Sequence, residues 1–85
     1  MNDKNIELLT NAFANALDID KNQVNNELKY QGIPQWDSIT HMFLINELES
    51  TFQIEIDADD VLEMNSFVRV KEVLEKYNLS FEKQN

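Results

Sequence analysis

The 85-residue chain contains no cysteine. That removes disulfides, thiolate metal sites and cysteine nucleophiles together, and it suits a reducing compartment. Any thiol the protein uses has to be brought to it. Glycine and proline occur once each, at Gly32 and Pro34, and β-branched runs are few, so helices joined by longer loops are expected. No apolar run is long enough to span a bilayer, and the opening "MNDKNIELLT" lacks the basic region and apolar run of a signal peptide. We therefore expect a soluble, cytoplasmic protein. Basic residues are also scarce. Between Lys29 and Arg69 there is none, while Asp37, Glu47, Glu49, Glu55, Asp57, Asp59, Asp60 and Glu63 all fall there. A net charge of −9 distributed in this way argues against nucleic acid, which needs clustered Lys or Arg on its phosphates. The negative middle of the chain reads either as a solvated face or as a docking surface for basic partners.

The apolar residues follow helical spacing. Ile6, Leu9, Phe13 and Leu17 form one stripe of a first helix, with Asp3 as its N-cap. From Asp18 to Gln35 the periodicity lapses, leaving a long loop with Val24, Leu28, Ile33 and the adjoining Trp36 as anchors to the core. A second helix begins at Asp37 or Ser38 and runs to about Thr51. On it Met42, Leu44, Ile45, Leu48 and Phe52 gather on a broad core face, while Ile39 and Phe43 fall outside with Asn46, Glu47 and Ser50. "DADDVLE" gives a short third helix with acidic residues at its N-terminus. Asn65 or Ser66 caps a last helix striped by Phe67, Val70, Val73, Leu74 and Tyr77. The expected fold is all-α: a single four-helix bundle with three longer helices, a short third one, and a long loop between the first two. Its core should span about residues 3–78, with 79–85 as a tail from which Leu79 or Phe81 packs back.

Three constellations could carry chemistry. Asp18, Asp20 and Asn22 imitate the opening of a calcium loop, but the glycine and bidentate glutamate such a loop needs are replaced by Gln23 and Lys29, and lysine cannot coordinate calcium. Ser38 and His41 share a helix face, yet no third orienting group and no Gly-rich elbow accompanies them, so a hydrolytic pair is not expected. The remaining one is Asp37-Ser38 itself. Either residue can cap the helix, and a serine at a loop-to-helix junction is also a place where the amide dipoles would tolerate a phosphodiester.

"WDSI", followed by "THMFLINELESTFQIEI" and then "DADDVLEMNSFVRVKEVL", resembles the acyl carrier protein and peptidyl carrier protein family, whose signature is Asp-Ser-Leu at the start of the second helix. The resemblance covers nearly the whole chain. It implies a non-catalytic carrier whose Ser38 receives a 4′-phosphopantetheine arm from coenzyme A. A separate phosphopantetheinyl transferase performs the transfer, with Mg²⁺ needed only for that step, and no metal is resident. The arm's thiol would then hold an acyl or aminoacyl group as a thioester, which accords with a chain lacking cysteine. Asp37 matches the aspartate that supports transfer, and Ile39 the hydrophobic residue that partners grip. Residues expected at the partner surface are Trp36, Ile39, Phe43, Glu47, Glu49, Val61 and Met64.

Further implied partners are an acyl- or aminoacyl-activating enzyme and an acyltransferase or synthase, with no nucleic acid, no stable membrane insertion and a monomeric state. Two departures from the family's fatty-acid carriers point to a specialised pathway. Trp36 stands where glycine is common, as in D-alanyl and other discrete carriers, and Thr40 and Phe43 stand where carboxylates are common. The alternatives are an aminoacyl or D-alanyl carrier loaded by an adenylating ligase, and an unmodified acidic helical adaptor.

Overall fold

The computed structural model describes residues 4–81, and every regular element in that span is helical. Helix α1 covers Lys4–Leu17, α2 Ser38–Phe52, α3 Ala58–Glu63 and α4 Phe67–Glu75, with one 3-10 turn at Lys21–Gln23. The expected cap at Asp3 lies outside the described residues. The stripe on α1 is buried as its spacing predicts: Leu9, Phe13 and Leu17 are inaccessible and Ile6 packs against them.

Two helices are followed directly by a left-handed residue that is not glycine. Asp18, after α1, and Gln53, after α2, adopt left-handed φ values of 59° and 57°. In each case the next residue, Ile19 or Ile54, donates its amide to the carbonyl five positions back, on Ala14 or Glu49, at 3.1 Å. The same isoleucines pack on the core, so each stop joins a satisfied carbonyl to an apolar contact. Beyond α4 the chain tightens into bonds between residues three apart, from the amides of Lys76, Tyr77 and Asn78. The regular helix therefore ends at Glu75, and Tyr77 belongs to this turn.

The long loop is held from both sides. Leu28 and Trp36 are buried, and Val24 and Ile33 are half-buried. Trp36 stands edge-on to Phe13, which in turn meets Phe67. Backbone pairing fastens the middle of the loop to the start of α4: Tyr30 N donates to Asn65 O at 3.0 Å and Phe67 N to Leu28 O at 2.9 Å. At Gly32 a Cβ would lie 3.0 Å from the Lys29 carbonyl oxygen, a tight approach that glycine avoids.

Helix α3 is fixed to the end of α4 through Asp60, the one buried carboxylate among the described residues. Its oxygens accept from Lys76 Nζ at 2.7 Å and from the Tyr77 hydroxyl at 2.6 Å, and that hydroxyl accepts from Asp57 N at 3.0 Å. Phe81 is buried edge-on against Phe52, so the core runs past residue 78.

Candidate functional site at the start of α2

The junction of the loop with α2 is organised by Asp37. Its backbone is extended, and its carboxylate accepts from the amides of Ile39 at 3.0 Å and Thr40 at 2.9 Å. Thr40 reciprocates: its hydroxyl accepts from Asp37 N at 3.0 Å and donates to Gln35 O at 2.6 Å. This is a capping box with threonine in place of the usual Glu or Gln. The amide of Thr40, foremost among these donors, holds the Asp37 carboxyl below its ordinary range. The cap is thus complete without Ser38. Ser38 is exposed, and its hydroxyl makes no hydrogen bond to any described residue.

A cleft of about 250 Å³ opens beside Ser38, between α2, α3 and the loop. Met42 and Leu62 form its exposed apolar rim, and Tyr30, His41, Val61, Met64 and Asn65 complete the lining. Met42 corrects the sequence-based expectation, which put it on the core face. It is 51% exposed because α2 is apolar around much of its circumference, and the core covers only the sector of Leu44, Ile45 and Leu48. Met42 lies about 60° round the helix from Ile45, at the edge of that sector.

His41 lies one turn from Ser38, half-buried, with both ring nitrogens engaged. Trp36 Nε1 donates to Nδ1 at 3.0 Å, and Nε2 lies 3.0 Å from the carbonyl oxygen of Val61. The ring stacks at 25° to Trp36 and meets Tyr30 on edge. A histidine committed in this way is not a general base for Ser38.

The residues expected at the partner surface divide into three groups. Ile39 and Phe43 are exposed, at 66% and 56%. Glu47, Glu49 and Val61 are half-buried. One oxygen of Glu49 accepts from Ile56 N at 2.8 Å, so this carboxylate also braces the turn after α2. Trp36 and Met64, by contrast, are wholly buried and belong to the core. Sequence reasoning missed Leu62, the most exposed large apolar side chain described, together with Tyr30 and Asn65 at the cleft. Leu62 sits in a helix too short to show a period, and the other two sit in loops. No group of three or more His, Asp or Glu residues suited to a metal ion occurs among the described residues, Asp18 and Asp20 included. In comparisons with known proteins the chain matches no family model, no curated protein and no solved structure.

Proposed function

We propose that this chain is an acyl carrier protein, bearing an acyl or aminoacyl group as a thioester on a 4′-phosphopantetheine arm attached to Ser38. The observation that carries the reading is the division of labour at the α2 N-terminus. Asp37 satisfies the first amides of the helix, and the adjacent serine is left exposed, its hydroxyl unbonded to any described residue. A serine retained only as a cap would be expected to make that bond itself. The start of a 15-residue helix also favours the negative charge of a phosphodiester.

The residues present fit the group. When attached, it would supply the thiol that the chain lacks. Ser38 would contribute its oxygen to the phosphodiester. Asp37 would hold the helix end in place and add a carboxylate beside the reacting hydroxyl, where Mg²⁺ on the transferase needs anionic neighbours. Ile39 and Phe43, exposed within and just beyond the first turn, offer apolar grip to the transferase and to the enzymes that load and unload the arm. Basic surfaces on those enzymes would be drawn by the acidic middle of the chain.

The test is intact mass before and after incubation with coenzyme A, Mg²⁺ and a broad-specificity phosphopantetheinyl transferase, with Ser38→Ala alongside. A gain of one phosphopantetheinyl unit in the wild type only is expected. No gain, with the transferase active on a control carrier, leaves an acidic helical adaptor as the better description.

A further inference from the structure

Three segments meet at the ring of His41. Trp36 closes the long loop, His41 itself belongs to α2, and Val61 belongs to α3. The chemistry of the partners fixes the proton. An indole N–H can only donate, so Nδ1 is bare; a carbonyl oxygen can only accept, so Nε2 carries the hydrogen. Exchanging the tautomer would set donor against donor on one side and acceptor against acceptor on the other.

The second bond stands alone in its role. Among the described residues it is the one hydrogen bond joining α2 to α3. Helix α3 has six residues and cannot persist without external support. Its other ties, Asp60 to Lys76 and Tyr77 and Glu63 to Arg69, all lead toward α4. The walls of the cleft beside Ser38 come from α2, through Met42, and from α3, through Val61 and Leu62. Across the cleft itself, the one polar tie from the α2 side among the described residues is the His41 imidazole.

We propose that His41 is the positioning residue of the Ser38 site: its Nε2–H tautomer latches α3 to α2 and keeps Leu62 in register with Met42 across the cleft. A partner acting on Ser38 then meets one preformed apolar surface drawn from two helices. The part of this inference that concerns modification rests on the carrier reading; the latch itself does not.

The experiment uses the full chain with His41→Leu and His41→Gln. Leucine abolishes both bonds. Glutamine offers an amide oxygen to Trp36 and an amide nitrogen to Val61. Amide hydrogen exchange is followed for residues 58–64 in the unmodified proteins. His41→Leu should speed exchange there by about tenfold relative to α1 and α4, and His41→Gln should restore most of the protection. With a transferase acting on Ser38, His41→Leu should raise KM for the carrier several-fold at nearly constant kcat, again with rescue by glutamine. In the wild type, ¹⁵N shifts of the ring should show a protonated Nε2 and a bare Nδ1, a measurement that does not depend on any variant folding. A proton on Nδ1, exchange that rises evenly over all helices, or a glutamine variant that behaves like leucine would each overturn the latch. If the wild type gains no phosphopantetheinyl mass, the carrier reading fails, and exchange and ring shifts alone decide the latch.

Discussion

Asp37 caps α2 with its own carboxylate and leaves the hydroxyl of its neighbour Ser38 without a partner among the described residues. The two residues are adjacent in the chain and opposite in function: one is consumed by the fold and the other is spared by it. Substitution should separate them. Asp37→Ala should lower the melting temperature by about 5 °C through loss of the cap. Ser38→Ala should stay within about 2 °C of the wild type, as expected of a surface change that removes no bond. Thermal unfolding followed by circular dichroism reads both, and equal losses would mean that Ser38 shares in the cap.

The tie between α3 and the turn after α4 makes stability depend on pH at both extremes. The Asp60 carboxyl is held below its ordinary value of 3.8, first by the Lys76 ammonium and then by the Tyr77 hydroxyl. Because the unfolded chain takes up this proton first, the contribution is whole above 3.8 and fades as pH falls through the lower folded value. The Tyr77 hydroxyl is raised above 10.0, chiefly because it donates a hydrogen bond to Asp60, so its contribution is whole below 10.0 and fades as pH rises through the folded value. Tyr77→Phe should therefore lower the plateau of urea-unfolding stability against pH and flatten both limbs. A profile parallel to the wild type at both ends would remove the hydroxyl from the account.

Trp36 is buried, and among the described residues His41 is the hydrogen-bond acceptor that its indole finds. His41→Leu strands that N–H in the core and should cost about 1–3 kcal/mol. In a Trp36→Phe background there is no N–H to strand, so the same change should cost less by about 1 kcal/mol or more. Chemical denaturation of the four proteins completes the cycle. Strict additivity would show that the bond contributes nothing to stability.

Gln53 holds a left-handed conformation on the surface at the end of α2. A side chain there costs roughly 1–2 kcal/mol, and glycine's greater unfolded-state freedom takes back about 0.5–1. Gln53→Gly should accordingly stabilise the protein by about 0.5–1 kcal/mol, read as a higher urea midpoint at an unchanged slope. A lower midpoint would mean that the glutamine side chain makes a contribution larger than its strain.

The helices were legible because burial imposes a period on them: Leu9, Phe13 and Leu17 in α1, and Phe67, Val70, Val73 and Leu74 in α4, are spaced as they are packed. Met42 was misplaced because α2 has more apolar residues than the core can cover, and pattern alone cannot say which sector stays bare. The acidic run of α3 reads as exposed, either solvated or as a docking surface, yet Asp60 turns inward to partners in the turn after α4, for which no local signal exists. Ser38 was legible as a position. The freedom of its hydroxyl was not, because Asp37 and Ser38 are equally good caps on paper and backbone geometry decides between them.

The pairing of Leu28 and Tyr30 with Phe67 and Asn65 brings two distant points of the chain to one place. Everything between them, including α2 and α3, belongs to one loop of chain closed at that neck. Helix α2 packs chiefly on α1 and α3 on α4, both outside this span, while the neck demands a single long closure whose entropic cost grows only with the logarithm of its length. Non-local closures of this kind are the slow events in small domains. The segment bearing Ser38 thus takes its place on helices outside itself, and the neck shuts the loop that carries it.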